Sequence, residues 1–442
     1  MGKLKSDSIM RKSLRWLLGL DQPVERLSAA EVEMARDRHF RWNFFVNSFD
    51  VIFFMTGLSL LSATTILPLF ISKLTDSTIP LALMAMVAQS GFYLPQLFVA
   101  NFIERLDRKK PMVVNLGFFT ERLPAILLML APLLAFRSSQ WALILFFFLY
   151  IWFQLGTGVS STAWQELIAR CFPVTWRGRF FGGNTFIGTA LGVGAVSLAG
   201  TVLDQVAFPL NFAYIFAAAG LLIMLSWVFI AQTREPVEVT DMPHLSTREY
   251  LAQLPGVVRA DHNFRNFLVA RTVLAFAEMG TGFLTIAAIQ QWDIADSMVA
   301  TFTTASLIGQ TVANLLMGVL ADRYGHRMSL EFSSFTAFLA FGLAWLAPTP
   351  SWFVFVFFLF GFFTGARMVS GILLVLEFSV PEKRPTYVGL ANTLVGVASV
   401  AAPLVGAMLV EVSYSWLFVA SMLTCLVALL MLRFWVKEPR FA

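Results

Sequence analysis

Four polar side chains interrupt apolar stretches of the sequence where a charge or a polar group is costly. Asp50, Gln154, Glu278 and Arg367 each lie inside a run of predominantly apolar residues. A charged group at the centre of a bilayer costs about 2.5–3.5 kcal/mol, so a residue of this kind is by default a candidate for function. A desolvated carboxyl group can bind and release a proton, and an arginine can bind an anionic group or neutralise a carboxylate. The four are therefore candidates for a substrate or proton site, and the alternative is a permanent ion pair that only holds helices together.

The adjacent residues Glu121 and Arg122 form a further candidate in another apolar stretch. On a helix of about 3.6 residues per turn, neighbouring side chains point roughly 100° apart, so we expect that they do not neutralise each other in place. At least one of them then reaches a neighbouring helix or a cavity. A structural role and a functional role both remain open for this pair.

These residues belong to a chain with the composition of a membrane protein. Of its 442 residues, 57% are hydrophobic and 13% are charged. Apolar runs of about 20 residues, each able to cross a hydrocarbon core of ~30 Å, recur along the chain. In a bilayer such segments form helices, and none alternates as a barrel strand would, so we predict an all-α polytopic membrane protein with about twelve transmembrane helices. The predicted spans are 43–70, 79–101, 112–135, 141–165, 181–203, 210–231, 267–290, 297–320, 329–347, 351–376, 386–410 and 414–436.

The basic residues indicate the orientation of the chain in the membrane. With the N-terminal segment placed inside, only Lys73 and Arg137 fall in outer loops, and most other lysines and arginines lie in cytoplasmic segments. By the positive-inside rule, both termini are then cytoplasmic, and we expect a multi-pass protein of the cell (inner) membrane. The net charge of +5 is explained by this asymmetry, so no nucleic-acid partner is expected.

The spans fall into two sets of six. Residues 1–42 form a cytoplasmic N-terminal segment, in which 8–20 is either an interfacial helix or a solvated tail. Residues 43–231 and 267–436 form the two six-helix bundles, and the proline-containing, charged segment 232–266 links them. Residues 437–442 are the cytoplasmic tail.

Short matching segments in the two halves support a duplication. They occur in the same order in each half, at the openings of the first and seventh spans and near the starts of the fifth and eleventh. The matched segments are Asn43-Phe-Phe-Val46 with Asn266-Phe-Leu-Val269, and Asn184-Thr185 and Gly188 with Asn392-Thr393 and Gly396. Parallel repeats of this kind place a binding site between the halves, near the midplane.

The loop after the eighth span, Gly318-Val-Leu-Ala-Asp322-Arg323-Tyr-Gly325-His-Arg327, resembles the G-x-L-A-D-R-x-G-x-R signature of the major facilitator superfamily. The copy after the second span is degenerate, with Glu104 in place of the aspartate. The resemblance implies two pseudo-symmetric six-helix bundles whose first, fourth, seventh and tenth spans line a central cavity. Asp50, Gln154, Glu278 and Arg367 fall one in each of those spans.

The two loops are also candidates for a cytoplasmic gate. A carboxylate at a helix end is well placed to face the N-terminus of a neighbouring helix, and nearby arginines can bridge to carboxylates at the inner ends of other spans. Topology-setting charge beside a turn is the alternative. The candidate gate residues are Glu104, Arg105, Arg108, Glu166, Arg177, Gly318, Asp322, Arg323, Gly325, Arg327 and Glu377.

We interpret the chain as a secondary transporter, monomeric and without cofactor or metal. It has no GxxxxGK[ST] loop for ATP, which leaves an ion gradient, with a carboxylate-borne proton as the natural coupling ion. A small organic or amphipathic, lipid-like solute and the direction of export are expected. Uptake of a sugar or an organic anion is the alternative on the same fold. From other classes, a lipid-modifying membrane enzyme lacks the clustered catalytic groups it needs, whereas a non-transporting receptor remains open.

The topology is testable with reporter fusions. We expect fusions after residues 76, 138, 206 and 294 to report the outside, and fusions after residues 108, 175, 245, 324 and 383 to report the cytoplasm. The fusion at 245 is the most informative, since an external signal there contradicts the division into six and six spans.

Overall fold

The computed structural model describes residues 15, 17–19, 28–104, 106–236, 249, 255–256, 258–378 and 384–439. Within these residues the chain is helical, and eleven helices are long and apolar enough to cross a membrane. The predicted all-α polytopic fold is therefore confirmed. The possible interfacial helix at 8–20 and most of the linker 232–266 lie outside the described residues.

The first bundle contains six spans, of which the segmented third is not among the eleven long apolar helices. The first runs over Ala29–Leu60 and continues, after a break, in Ile66–Ser72. The second to sixth spans are Thr78–Glu104, a segmented third span from Met112 to Ala135, Ser139–Cys171, Val174–Gln205 and Leu210–Ile230. The third span consists of two π-helical turns, Met112–Leu116 and Phe118–Arg122, followed by the α-helical pieces Leu123–Leu127 and Leu130–Ala135.

The second bundle repeats this order. Its seventh span is His262–Ala277, a 3₁₀ segment Glu278–Phe283 and Leu284–Trp292. The eighth to twelfth spans are Asp296–Tyr324, His326–Leu346, Trp352–Phe378, Arg384–Val412 and Tyr414–Phe434.

The first span differs from its predicted bounds of 43–70. It begins at Ala29, where Ser28 and Glu31 form a capping box in which each side chain accepts the other residue's backbone N–H. It breaks before Thr65, whose hydroxyl donates to Ser62 at 2.6 Å. Hydroxyl side chains of this kind compete with the backbone for hydrogen bonds, which favours a turn within an apolar sequence.

The two bundles pack against each other through two symmetry-related pairs of spans. The second span packs on the eleventh, and the fifth packs on the eighth. Because six spans separate the second from the eighth and the fifth from the eleventh, a pseudo-twofold axis exchanges these two contacts. This axis passes between the bundles, where parallel repeats place a binding site.

The outer ends of the bundles are joined. Lys73 pairs with Asp296 across the bundles at 2.8 Å, beside the start of the eighth span. Nearby, Thr285 donates to the Thr64 carbonyl at 2.6 Å, and the Thr303 hydroxyl donates to that of Thr65 at 2.6 Å. These contacts hold the two bundles together at their predicted outer ends.

A Glu-Pro pair follows the last span of each bundle. Its glutamate joins helix ends within that bundle, at the predicted cytoplasmic face. In the first bundle, the Glu235 carboxylate accepts the backbone N–H groups of Lys109 and Lys110 at 2.8 and 2.9 Å and pairs with Arg170 at 3.2 Å. A carboxylate at a helix start satisfies unpaired N–H groups and complements the helix dipole. Burial lowers the pKa of Lys110, and the Glu235 charge opposes that shift.

The second bundle has the corresponding contact. Glu438 accepts the backbone N–H of Arg327 at 2.9 Å, at the start of the ninth span. In addition, an asparagine of each bundle's first helix exchanges two hydrogen bonds with the backbone of the residue before the glutamate. Asn43 does so with Arg234, both at 2.9 Å, and Asn263 does so with Lys437 at 2.8 and 2.9 Å.

We predict that Glu235→Gln destabilises the first bundle, because the buried Arg170 loses its charged partner. Hydrogen bonds to charged groups contribute about 1.5–3 kcal/mol, so the loss is of that order. Thermal unfolding of the purified protein measures it, with Glu411→Gln as the control, since Glu411 is exposed. Equal melting of the two variants would contradict the proposed fastening.

Candidate functional site

The seventh span leaves the α-helical conformation at the residue that carries its charge. The α-helix ends at Ala277, and the 3₁₀ segment begins with Glu278. Two glycines in this segment allow close packing, since a Cβ on Gly282 would stand 3.0 Å from that of Ala85 in the second span. Interrupted membrane helices are where transporters place solute and ion sites. The break therefore puts a carboxylate at such a position.

Glu278 contacts both bundles. Its carboxylate forms an ion pair with Arg367 of the tenth span and accepts a hydrogen bond at 3.0 Å from Gln89 of the second span. Arg367 also lies over the Phe363 ring, 5.2 Å from its centroid. The side chains of Glu278 and Arg367 retain 12% and 22% of their accessible surface, so the pair is not fully enclosed.

A second polar link lies about two turns nearer the cytoplasm. Arg271 donates to the side-chain oxygen of Asn392 in the eleventh span at 3.2 Å, and Asn392 donates to Gln96 of the second span at 3.4 Å. Tyr93 lies between Gln89 and Gln96 in the second span and packs against a small apolar cluster that includes Ala275 of the seventh span. Glu278, Arg367, Arg271, Gln89, Tyr93, Gln96 and Asn392 are together called the central cluster.

Asp50 lies in a different place, inside the first bundle. Its carboxylate accepts hydrogen bonds from Trp164 at 3.0 Å and from Ser226 at 2.6 Å, and only 3% of its surface is exposed. Among the described residues, no hydrogen bond or ion pair links Asp50 to the central cluster. The four residues chosen from the sequence are thus not brought together in one site.

Glu121 and Arg122 form an ion pair with each other, which corrects the expectation that adjacent side chains do not do so. The expectation considered only the angle between the two side chains, whereas both are long enough to turn toward each other from the π-helical turn Phe118–Arg122. Each side chain retains 4% of its surface, and Arg122 also lies over the Phe54 ring. The pair is therefore enclosed within the first bundle.

Gln154 contacts the second span from the fourth. Its side-chain amide donates to the Ala88 carbonyl at 2.9 Å and to the Tyr150 hydroxyl at 3.3 Å. Ala88 directly precedes Gln89, so Gln154 fixes the backbone next to a member of the central cluster rather than contacting Glu278 itself.

The structure describes only part of the candidate gate. Arg105 and the side chains of Glu104 and Asp322 lie outside the described residues. The guanidinium of Arg177 donates to the Phe172 carbonyl at 3.0 Å, and Glu166 is exposed.

In the second bundle, several gate residues make local contacts. Arg327 pairs with Glu331 of its own helix at 2.8 Å and donates to the Val436 carbonyl at 2.8 Å. Glu377 lies 3.7 Å from the His326 ring nitrogen. Gly325 has φ +95°, a conformation that favours glycine, and Glu438 lies against it.

The remaining gate residues are Arg108, which is partly buried, the exposed Arg323 and Gly318, beside which there is open space.

Sequence reasoning missed the contribution of the second span. Gln89, Tyr93 and Gln96 follow an i, i+4, i+7 spacing, which places them on one helix face. Being uncharged, they gave no signal in a search for ionisable residues. Arg271 is not among the residues chosen from the sequence, although it precedes Glu278 by two turns on the same face.

Comparisons with known proteins identify the fold. The description "Major Facilitator Superfamily" belongs to the family model that matches residues 267–442. A solved D-xylose–proton symporter superposes with a TM-score of 0.68 and 13% identity, covering 91% of this chain and 99% of that one. The protein is therefore a multi-pass membrane protein with the fold of major facilitator superfamily transporters, as the loop signature predicts.

Two curated relatives extend the comparison. The uncharacterized MFS-type transporter YfkF of Bacillus subtilis is 23% identical over 333 residues, covering 72% of this chain and 77% of YfkF. The MFS-type efflux pump MFS1 of Arthroderma benhamiae is 35% identical over 77 residues, which span 17% of this chain and 14% of the pump.

The different environments of the acids lead to a prediction for Asp50. Asp50→Ala leaves the Trp164 and Ser226 donors unpaired, at a cost of about 1–3 kcal/mol for each buried group. We expect a lower melting temperature for Asp50→Ala than for Asp204→Ala, because Asp204 is exposed. Asp50→Asn retains an acceptor and should keep proton-driven transport. Loss of transport in a stable Asp50→Asn variant would make Asp50 a functional acid instead.

Proposed function

We propose that this protein is a secondary transporter of the cell membrane that couples movement of a small organic or amphipathic solute to protons by alternating access. The observation that carries the proposal is the Glu278–Arg367 pair at the break of the seventh span, with Gln89 of the opposite bundle on the same carboxylate. A transporter is supported by the fold and by the names of similar proteins. The protein is proposed to act as a monomer.

The proton step follows from the chemistry of this pair. Ionised Glu278 neutralises Arg367 and accepts the Gln89 amide. Protonation removes the charge, weakens both contacts and leaves the Arg367 guanidinium without its counter-ion in a poorly solvating site. Because Gln89 belongs to the other bundle, protonation also weakens a contact between the bundles. A proton can thereby change both the charge of the site and the relative stability of its two facing states.

The direction of transport depends on the sign of the coupling between proton and solute. Export, the direction expected from the sequence and printed in the name of the A. benhamiae pump, requires that a proton and the solute exclude each other. Uptake requires that they bind together, since coupling between two ligands is reciprocal. In either case, each charge that crosses the membrane gains ~2.3 kcal/mol per 100 mV of potential.

We predict that Glu278→Gln abolishes uphill, proton-driven transport but retains solute exchange, because exchange requires no net change in protonation. The measurement is a pH series of both activities in proteoliposomes, with a solute chosen by thermal-shift screening. Glu411→Gln is the matched control, since it changes the same side chain at an exposed position.

Two results would contradict the proposal. If pH-driven accumulation persists in Glu278→Gln, then Glu278 does not carry the proton. If a solute binds but is neither accumulated nor exchanged, the protein acts as a receptor rather than a transporter.

A further inference from the structure

The central cluster contains an excess of positive charge. Two arginines, Arg271 and Arg367, lie in it, and Glu278 is its one carboxylate among the described residues. Isolated charges are expensive in a membrane and are retained where they pair or bind a ligand. Glu278 serves as the counter-ion of Arg367, which leaves the charge of Arg271 without an acidic partner in the part of the chain that the structure describes.

The hydrogen bonds of Arg271 leave one of its donor groups unused. One terminal nitrogen donates to Asn392, whereas the other, Nη1, is buried and has no hydrogen-bond partner among the described residues. A buried charged donor without a partner costs several times the value of an ordinary hydrogen bond. A guanidinium presents a planar fork of donors that matches a carboxylate or a phosphate. An anionic ligand would satisfy both the missing charge and the unused donor.

The surroundings of Arg271 indicate that this ligand also has an apolar part. Ala275, Val395 and Ala398 form a small apolar cluster against which Tyr93 and Phe276 pack. Ala275 lies one turn after Arg271 in the same helix, and Tyr93 lies between Gln89 and Gln96 in the second span, so this apolar cluster adjoins the arginines. An aromatic or aliphatic body can therefore lie beside the anion-binding group.

We propose that the substrate is an organic anion whose carboxylate or phosphate binds Arg271 and Arg367, and that it binds together with a proton on Glu278. This inference rests on the proposed transport function and names its substrate class. It replaces the expected export by uptake with protons.

The coupling follows from electrostatics. Besides the two arginines, the titratable groups around the ion pair are Tyr93 of the second span, near Arg367, and Cys425 of the twelfth, near Glu278. An anion on the arginines repels ionised Glu278 and competes with it for Arg367, so anion binding promotes proton uptake. By reciprocity, protonation of Glu278 frees Arg367 and strengthens anion binding. Proton and anion therefore stabilise each other's binding.

The test is a thermal-shift comparison of purified wild-type protein with two anions, benzoate and phenyl phosphate, and with neutral benzamide and cationic benzylamine. A ligand that binds the folded state raises its apparent stability by mass action. We expect at least one anion to stabilise the protein more than either benzamide or benzylamine does. The two anions distinguish a carboxylate site from a phosphate site.

Two variants locate the site. Arg271→Gln should weaken anion affinity about 10- to 100-fold, the effect of losing a charged hydrogen-bond donor, whereas Arg271→Lys should retain part of it. Arg137→Gln, which removes the same charge from an exposed outer position, should leave affinity unchanged. In weakly buffered solution, anion binding should be accompanied by proton uptake that is absent in Glu278→Gln.

The inference is overturned if neither anion stabilises the protein, if benzamide or benzylamine is preferred, or if Arg271→Gln binds as well as wild type. Anion binding without proton uptake overturns the coupled part. These outcomes are distinct from failure of the proposed function, which is judged by whether pH-driven transport requires Glu278. A cation-selective protein that still needs Glu278 for transport would refute only the anion inference.

Discussion

The ion pair between Glu278 and Arg367 is the interaction on which the rest of the central cluster depends. Breaking a buried pair by removing one partner costs about 3–5 kcal/mol, because the remaining charge stays in a poorly solvating environment. The seventh span gives up α-helical geometry at Glu278, and Gly282 allows the second span to approach the interrupted segment. Local backbone structure and helix packing thus serve to hold one carboxylate between two bundles.

The second span links that pair to the contacts between the bundles, which change in the proposed alternating access. Gln89 contacts Glu278, and Gln96, two turns further along, contacts Asn392, the partner of Arg271. One face of the second span therefore contacts polar groups of the second bundle at two depths, at Glu278 and at Asn392. At the outer side, Lys73 and Asp296 close the bundles, while at the cytoplasmic face Glu235 and Glu438 fasten each bundle within itself. We infer that the bundles move as units and that the contacts between them change.

Much of this fold is predictable from the sequence, because apolar length and positive charge determine helices and orientation in a membrane. Local interruptions were not predicted. The break after Leu60 depends on hydroxyl groups that bond to one another, and Glu121 pairs with Arg122 because two long side chains can turn toward each other despite the angle between them. The pairing of Glu278 with Arg367 was one of two roles considered for these residues. The Glu-Pro pairs at Glu235 and Glu438 escaped notice because a two-residue repeat cannot be distinguished from chance without the contacts it makes.

The central claim is that Glu278 exchanges a proton while Arg367 remains charged. Infrared difference spectroscopy of membranes, recorded across a pH step, detects the carbonyl stretch of a carboxylic acid as it becomes protonated. The account predicts a band that appears on acidification of the wild-type protein, shifts in heavy water and is missing from Glu278→Gln. A band that persists unchanged in Glu278→Gln would contradict it, since the titrating acid would then lie elsewhere in the protein.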